Sequence, residues 1–432
     1  MRILASAAAA GIGGRLVGPD VEFDGASFDS RSTRPGQLFV PIVAERDGHD
    51  FVTTAQAAGA VAHLTSEADP QRHGGTAIAV DDTATALMRL AGWARGQASA
   101  TVVGVTGSVG KTSTKDLIAA GCAAERVTTA NEHSFNNEQG LPVTVLNAPD
   151  TTEVLILEMG MRGFGQISEL CEIARPDIGV VTAVGLSHTE LVGGIVGVAK
   201  AKQELVEALP ASGTAVLNAD DERVAKMARH TDASVLTYGF AGDVRISDLV
   251  LDELARPRFR IDTPWGSGHV ELAVSGAHMA SNAGAAVAVA GSIGVSLDGA
   301  IAALAGASMS GMRMEVVAAP SGATVINDAY NANPTSMTAA LQALAAMTAD
   351  RRIAILGLMG ELDDEVEGHR EVARIAETLG IQVVATGTEL YGVRPSDDPV
   401  GLIGALGDGD VVLVKASRSA GLERIAAQLL EP

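Results

Sequence analysis

Residues 101–123 read TVVGVTGSVGKTSTKDLIAAGCA, and this stretch decides the fold of the chain's centre. An apolar run of strand length leads into a glycine-rich loop, and a helix-forming segment follows. Glycine lets successive backbone N–H groups turn toward a phosphate, and the helix presents its positive N-terminal end to the same anion. A lysine adds positive charge and a threonine hydroxyl suits Mg²⁺. The stretch predicts a nucleotide-phosphate loop whose contacts are Gly107, Ser108, Gly110, Lys111 and Thr112.

The loop departs from the strict GxxxxGK[ST] pattern at one position. Val105 stands where that pattern has its first glycine. The strand, the glycine-rich loop, the Gly-Lys-Thr sequence and the helix still coincide, which favours phosphate binding over a chance turn. The loop alone leaves the reaction open, because GTPase switches, kinases and ATP-driven ligases all use one.

Two more apolar runs of strand length follow, TEVLILEMG at 152–160 and DIGVVTAVG at 177–185. They are continuous rather than alternating, which is typical of a parallel sheet covered by helices on both faces. Functional side chains are then expected where the carboxyl ends of the strands meet loops. Farther along, RFRIDT and HVELAV alternate and predict antiparallel strands.

The length of 432 residues corresponds to about three domains. We expect an α/β protein with a mixed α/β domain over 1–98, a central P-loop parallel-sheet domain over 99–316 and a Rossmann-like α/β domain over 317–432. Within the first domain, residues 1–16 predict a helix and RPGQLFVPIV at 34–43 predicts a strand.

Composition limits the function. Hydrophobic residues make up 47% of the chain and aromatic residues only 3%, so the cores are expected to be aliphatic and alanine-rich. Lys+Arg 31 against Asp+Glu 52 gives 31 − 52 = −21, a charge that repels nucleic acid. No apolar run reaches the roughly 18 residues of a membrane span. With Cys122 and Cys171 isolated from each other, we expect a cytoplasmic protein with reduced thiols.

Polar residues end the two strands that follow the phosphate loop. Glu158 ends the run TEVLILEMG, where a carboxylate is well placed to bind Mg²⁺ beside the loop. His188 follows the next run, and beside Glu158 it becomes a candidate for the same centre. Lys202, in VAKAKQELVEAL, taken alone is typical of a solvated helix lysine.

Longer motifs carry a family resemblance over essentially the whole chain. The chain resembles the Mur ligases, the ATP-dependent amide-forming enzymes of peptidoglycan precursor synthesis. Within them it is most similar to members that join D-alanyl-D-alanine to UDP-N-acetylmuramoyl-tripeptide, and we find no Asp-Asn-Pro-Arg motif of the diaminopimelate- or lysine-adding members. The motifs are Asp29-Ser30-Arg31, RPGQLFVPI, DGHDF, TGSVGKTSTK, NEHSFNNEQGLP, EMGMRGFGQI, ARPDIGVVTAVGLSH, LNADDERV and Asp328-Ala329-Tyr330-Asn331-Ala332-Asn333-Pro334.

The resemblance implies a mechanism and a metal centre. ATP phosphorylates the terminal carboxylate of the UDP-muramoyl peptide, and an amine attacks the resulting acyl phosphate to form an amide. Lys111 then aligns and neutralises the γ-phosphate, Thr112 and Glu158 hold Mg²⁺, and His188 helps to hold a second ion. Lys202 matches the family lysine that can become a carbamate and so an oxygen ligand; the sequence leaves that modification open.

The resemblance also implies binding residues. Ser30 and Arg31 belong to the UDP-sugar domain, while Asn136 and Asn137 resemble the loop that contacts the muramoyl peptide. The resemblance assigns Asn282 to the adenine of ATP, and Arg313 and Asp328 to its phosphate and ribose. Hydrogen bonds to the nucleotide or the dipeptide are assigned to Asn331 and Asn333, and a position near the dipeptide carboxylate to Lys415, Ser417 and Arg418. The family implies a monomer.

Three departures from the family pattern surround the nucleotide and dipeptide. Asn327 stands where an aspartate is usual, Met279 replaces an asparagine and Leu358 replaces an aspartate. Since the phosphate-loop and metal residues are kept, we expect an active enzyme. The alternatives are a related ligase with another amino acceptor and a non-catalytic nucleotide-binding regulator. The third peptide residue, diaminopimelate or lysine, stays open.

Overall fold

The computed structural model describes residues 1–132, 135–185, 192–360, 362 and 364–431. These residues form two five-stranded sheets, one nine-stranded sheet and a small antiparallel pair of strands. The large sheets follow one another along the chain, and each has helices packed against it. The predicted α/β class with three successive units is confirmed.

The first unit contains a mixed sheet of order β2-β7-β6-β5-β4, in which β2 runs antiparallel to β7. Residues 1–16 contain the expected helix and also parts of two strands. Strand β1 precedes the helix and pairs with β3, and β2 begins at Arg15. The expected strand over 34–43 shortens to two residues. The elements are β1 Arg2–Leu4, α1 Ala5–Ile12, β2 Arg15–Val17, β3 Glu22–Asp24, β4 Ala26–Ser27, β5 Leu38–Phe39, α2 Val52–Ala57, β6 Ala62–Thr65, β7 Thr76–Ala79 and α3 Thr83–Arg95.

The central unit is a nine-stranded sheet of order β9-β10-β8-β11-β12-β13-β14-β15-β16. Its strands are β8 Thr101–Thr106, β9 Thr128–Ala130, β10 Val154–Glu158, β11 Ile178–Val181, β12 Thr214–Asn218, β13 Ser234–Gly239, β14 Val244–Leu251, β15 Pro257–Thr263 and β16 Gly266–Glu271. Its helices are α4 Lys111–Ala123, α5 Gly140–Asn147, α6 Gln166–Ala174, α7 Gly194–Glu207, α8 Glu222–Ala225, α9 His278–Ser292 and α10 Leu297–Ala305. The strands from β9 to β14 are parallel, and β15 and β16 add the predicted antiparallel edge.

The position of β8 decides where the site forms. The strand lies between β10 and β11, so the chain leaves β8 in one direction and later returns to its other side. In open α/β sheets ligands bind at such a switch point, outside the carboxyl ends of the strands. The loops after β8, β10 and β11 therefore meet at one edge.

Alanine-rich packing holds the phosphate-loop helix in place. Helix α9 packs on α4 through small side chains, and residues 283–290 of α9 are all buried. Small side chains let helix backbones approach closely, which replaces the area that aromatic residues would bury. The low aromatic content therefore corresponds to close helix contacts, as predicted.

The third unit is a five-stranded sheet of order β17-β18-β21-β19-β20, parallel except for β17. Strand β17 pairs with β18, so the expected boundary at 316/317 falls inside a strand of this sheet, which begins at Glu315. The elements are β17 Glu315–Ala318, β18 Thr324–Asn327, α11 Pro334–Ala346, β19 Arg351–Leu356, α12 Glu365–Thr378, β20 Gln382–Ala385, α13 Pro399–Ile403, β21 Asp410–Lys415 and α14 Glu423–Leu429.

Two further expectations concern the membrane and the thiols. Within the described residues, no helix combines the length and the apolar character needed to cross a bilayer. Cys122 and Cys171 are free and buried, as predicted. Burial raises the pKa of each thiol to about 12, which makes them unreactive core residues.

Candidate active site

The phosphate loop connects β8 to α4 with two glycines in backbone conformations that other residues rarely adopt. Gly107 has a φ of 154°, and a Cβ at this position would lie 1.8 Å from the Thr182 hydroxyl oxygen. Gly110 has a φ of 80° and immediately precedes α4. The Thr182 Oγ1 donates to the Val109 carbonyl at 2.6 Å, which fixes the loop against β11. The Lys111 ammonium donates to the Gly107 carbonyl at 2.8 Å and so lies across the loop.

A hydroxyl and a carboxylate meet at the start of α4. The Thr112 Oγ1 donates to the Glu158 Oε2 at 2.7 Å, and the Asn136 Nδ2 donates to the other carboxylate oxygen at 2.8 Å. The main chain of Glu158 is fixed as well, because its backbone N–H donates to the Asn131 Oδ1 at 2.8 Å. With only 1% of its surface exposed, Glu158 is a buried carboxylate in a fixed orientation.

These oxygen atoms fit Mg²⁺. Mg²⁺ takes oxygen ligands, usually one or two from protein carboxylates or hydroxyls, with water and substrate phosphates completing the set. Within the described residues, no group of three or more His, Cys, Asp or Glu side chains is arranged to hold a metal ion. Two protein oxygen ligands, from Thr112 and Glu158, match the small number that Mg²⁺ usually takes from a protein when a nucleotide supplies phosphate ligands.

The two other metal-site candidates have different outcomes. His188 lies outside the described residues, so its assignment stays a prediction. Lys202 lies on α7 with 3% of its surface exposed, rather than in solvent as its sequence context alone indicated. Burial, with a smaller contribution from the positive charge of Lys111, holds the pKa of the Lys202 amine well below its usual range.

The linker to the third unit reaches back to the phosphate loop. The Arg313 Nη2 donates to the Thr112 Oγ1 at 3.0 Å, and the guanidinium lies 4.3 Å from the centre of the Tyr330 ring. Met312 and Met314, on either side of it, have left-handed φ angles of 60° and 48°. That conformation costs a non-glycine residue about 1 kcal/mol or more, and here it directs the intervening side chain into the cleft.

A second contact fastens the same linker. The Asp116 Oδ2 on α4 accepts from the Ser310 backbone N–H at 2.8 Å. Helix α4 therefore holds the linker at Ser310 and again, through Thr112, at Arg313.

A buried ion pair forms the wall contributed by the third unit. The Lys415 ammonium lies 2.5 Å from the Asp328 Oδ2 and 2.8 Å from the Asn331 carbonyl oxygen. Burial lowers the pKa of Lys415, Arg313 lowers it further, and the Asp328 carboxylate opposes both. Lys415 lines the cavity, and its ammonium donates to Asp328 and Asn331; its expected position near a dipeptide carboxylate stays a prediction. This pair positions Asp328, whose other oxygen accepts from the Met314 N–H at 3.1 Å.

Most of the predicted site residues line one cavity of about 700 Å³. The residues of the predicted site that line it are Ser108, Gly110, Lys111, Thr112, Asn136, Asn137, Glu158, Lys202, Asn282, Arg313, Asp328, Asn331, Asn333, Lys415 and Arg418. Gly107 lies behind the loop against Thr182. Ser30 and Arg31 do not line this cavity, and the Arg31 guanidinium is exposed and paired with Asp29 at 2.7 Å.

Some predicted substrate contacts also have local structural roles. The Asn137 Oδ1 accepts from the Gly140 N–H at 2.9 Å, and the Asn333 Oδ1 accepts from the Ser336 N–H at 2.9 Å. Asn137 therefore closes a turn before α5, and Asn333 caps α11 in a reciprocal capping box. The Asn331 Oδ1 accepts from the next backbone N–H at 2.9 Å.

Several residues of the site were not identified from the sequence. Asn131 holds the backbone of Glu158, Thr182 supports the loop, Asp116 anchors the linker and Tyr330 stacks on Arg313. Asn131, Thr182 and Tyr330 lie inside the motifs that carry the family resemblance, so the sequence did contain a pattern that could have identified them. Asp116 had none, because its partner Ser310 lies 194 residues away.

The departures from the family pattern have local explanations. The Met279 sulfur accepts from the Asn282 Nδ2 at 3.5 Å, so a thioether orients that amide. The Asn327 Nδ2 donates to Glu315 at 3.2 Å. The Leu358 carbonyl accepts from the Ser417 N–H at 2.9 Å through the backbone, which any side chain permits.

Comparison with known proteins agrees with this geometry. The model of the Mur ligase middle domain matches residues 105–290, and that of the Mur ligase, glutamate ligase domain matches residues 312–423. The chain belongs to the Mur ligase family.

Within the family its similarity is to one kind of ligase. The UDP-N-acetylmuramoyl-tripeptide–D-alanyl-D-alanine ligase of Mycobacterium tuberculosis is 41% identical, over 93% of this chain and 91% of the relative. MurF from Acinetobacter baumannii has a TM-score of 0.90 at 27% identity, covering 100% of this chain and 99% of that one. MurF from Thermotoga maritima in complex with ADP has a TM-score of 0.82 at 29% identity, covering 94% and 96%.

Proposed function

We propose that this protein is an ATP-dependent ligase that joins D-alanyl-D-alanine to the terminal carboxylate of UDP-N-acetylmuramoyl-tripeptide. The observation that carries the proposal is the shared cavity. The phosphate loop, the Thr112–Glu158 pair and Lys202 line it from the central unit, while Asp328 lines it from the third unit. Such a site can bring a nucleotide, a carboxylate and an amine together in one cleft.

ATP is assigned to the central loop and the facing wall of the third unit. The loop N–H groups and Lys111 bind the phosphates, Asn282 meets the adenine, and Arg313 and Asp328 contact the phosphates and ribose. The T. maritima relative was solved in complex with ADP, which supports nucleotide binding by this protein. Glycine N–H groups with a few cations explain how a chain of charge −21 admits such anions.

Mg²⁺ is assigned to Thr112 and Glu158, and a second ion to His188 and Lys202. When bound, the metal neutralises phosphate charge and withdraws electrons from the γ-phosphorus. Asn136 holds the Glu158 carboxylate by one oxygen, which keeps its orientation constant as the charge around it changes.

The reaction proceeds in two transfers. A carboxylate oxygen of the peptide bonds to the γ-phosphorus while the bond to the β-phosphate oxygen breaks, giving an acyl phosphate and ADP. The dipeptide nitrogen then bonds to the acyl carbon and loses a proton, and the carbon–oxygen bond breaks to release phosphate. Lys111 and Arg313 offset the negative charges that must approach one another in the first transfer.

Lys202 is proposed to carry a carbamate. Only a neutral amine adds CO₂, and the addition releases one proton and leaves a carboxylate on nitrogen. The buried position of Lys202 and its lowered pKa favour the neutral amine that this step requires. The product would be an anionic oxygen ligand facing the cation of Lys111.

The remaining assignments follow the three units. Residues 1–98 hold the UDP-sugar with Ser30 and Arg31, residues 99–316 hold ATP, and residues 317–432 close on ATP and bind the amino acceptor, with the sheet boundary moved ahead of residue 315. Asn136 and Asn137 contact the muramoyl peptide, and Asn331 and Asn333 contact the nucleotide or dipeptide. We propose a monomer. We place it in the cytoplasm, because ATP is a cytoplasmic substrate and both cysteines are free thiols.

Phosphate release tests the proposal. Turnover should require ATP, UDP-N-acetylmuramoyl-tripeptide and D-alanyl-D-alanine together, and omission of any one should reduce phosphate release to background. Turnover with other amines but not with the dipeptide would indicate a ligase with a different acceptor. Nucleotide binding without turnover for any acceptor would indicate a regulator.

A further inference from the structure

Five of the residues that line the cavity have no role assigned above, and we call the part of the cavity that they line the arm. It is lined by Met88 on α3, by Leu170 and Ile173 on α6, and by the charged side chains of Arg162 and Glu169. Residues 169, 170 and 173 have i, i+1 and i+4 spacing, which places them on one face of α6. This arm therefore has an apolar wall and a charged end.

The two charges have opposite sign and no partner in the described part of the chain. Both side chains are exposed, and neither forms an ion pair or a side-chain hydrogen bond with a described residue. Gln166 binds the Arg162 backbone N–H at 2.6 Å and so fixes the main chain there without neutralising its guanidinium. The arm thus offers one cation and one anion to whatever enters it.

The arm adjoins the reacting centre. Arg162 follows Glu158 by four residues, so their Cα atoms lie at most about 14 Å apart. In the proposed reaction the carboxylate that is phosphorylated lies beside Glu158 and Lys111. The carboxyl carbon and the side chain of that peptide residue are bonded to the same Cα atom. The side chain must therefore occupy a space next to this centre.

We propose that this arm binds the side chain of the third peptide residue and selects 2,6-diaminopimelate over lysine. The proposal rests on the ligase function proposed above. Both side chains have an aliphatic stem that suits the wall of Met88, Leu170 and Ile173. Both end in an ammonium that Glu169 pairs, but only diaminopimelate adds a carboxylate for Arg162. A guanidinium binds a carboxylate through two parallel hydrogen bonds, whereas lysine leaves it unpaired and places a second cation beside it.

The test compares two substrates in the full-length protein. UDP-N-acetylmuramoyl-tripeptides ending in diaminopimelate or in lysine are assayed with ATP and D-alanyl-D-alanine, and kcat/KM is measured for each. The wild type should favour the diaminopimelate peptide by about 10-fold or more. Arg162→Met should lower kcat/KM for the diaminopimelate peptide about 10- to 100-fold more than for the lysine peptide. Glu169→Gln should lower both, because both carry the ammonium.

Matched controls separate a specific contact from a general change of charge. Arg89→Met and Glu172→Gln remove exposed charges on α3 and α6 that do not line the cavity, and the ratio of the two kcat/KM values should not change. Thermal unfolding of Arg162→Met checks that the variant is folded.

The outcomes distinguish this inference from the function on which it rests. Wild-type turnover of the lysine peptide at an equal or higher kcat/KM leaves the ligase standing and overturns the selectivity. An equal effect of Arg162→Met on both peptides also overturns it. No turnover with either peptide overturns the ligase function itself.

Discussion

Replacing Arg313 tests the connection between the phosphate loop and the third unit most directly. The guanidinium donates to Thr112 at 3.0 Å on one side of the cleft and stacks 4.3 Å from the Tyr330 ring on the other. Arg313→Ala removes both contacts at once. Arg313→Lys keeps the charge but loses the planar stack and the fork of donors.

The two contacts set the expected magnitude. A hydrogen bond from a charged donor contributes about 1.5–3 kcal/mol, and a cation over an aromatic ring about 0.5–2 kcal/mol. In the proposed reaction this connected arrangement binds ATP, so the loss of about 2–5 kcal/mol in Arg313→Ala lowers its population, and with it kcat/KM for ATP, by up to roughly 30- to 3000-fold. Arg313→Lys should lose about 10-fold, since it gives up mainly the stack.

Phosphate release at varied ATP concentration, with both other substrates saturating, measures the effect. Arg394→Ala is the control, because Arg394 is an exposed arginine of the third unit that does not line the cavity. If Arg313→Ala stays within threefold of the wild type in kcat/KM while remaining folded, the connection across the cleft is not used in the reaction.

Four further predictions concern other charged groups. Lys111→Ala should reduce turnover at least about 1000-fold with an unchanged melting temperature, and surviving activity would contradict its phosphate role. Removing CO₂ from the buffers should lower turnover and bicarbonate should restore it, while crystal density for a free Lys202 amine in active enzyme would disprove the carbamate. Lys415→Met should lower the free energy of urea unfolding by about 3–5 kcal/mol, because it leaves Asp328 buried without its cation. Adding Asp328→Leu should recover most of that loss, so a double variant no more stable than the single one would refute the pair. Burial lowers the pKa of His63 to about 4, below its usual 6.5, so its contribution to stability is full above pH 6.5 and is lost as the pH falls toward 4, by about 3 kcal/mol. His63→Leu should remove that part of the acid sensitivity, and identical pH–stability curves for both proteins would exclude His63 as the cause.

Local features of the site were readable from the sequence because they depend on neighbouring residues. The phosphate loop is one strand, one glycine-rich turn and one helix N-terminus, all within residues 101–123. Glu158 was assigned because it ends an apolar run, and parallel strands bring their carboxyl ends to the same edge. Where local signals were weak, the predictions were less accurate. The expected strand over 34–43 shortened to β5, and β17 crossed the expected boundary at 316/317, where it forms a hairpin with β18 whose paired residues lie 6 to 12 positions apart.

What the sequence by itself determined is the local chemistry of the centre: a glycine-rich loop suited to phosphate, a carboxylate at the end of a neighbouring strand, and motifs that resemble one family. What only the tertiary structure decided is which distant groups meet. Arg313 touches Thr112 across 201 residues, and Lys415 pairs with Asp328 across 87. The physical reason is that hydrogen bonds and burial depend on distance in space, whereas sequence patterns record only spacing along the chain. The same reason explains Lys202, a solvated helix lysine by sequence context and a buried amine beside Lys111 in the folded protein.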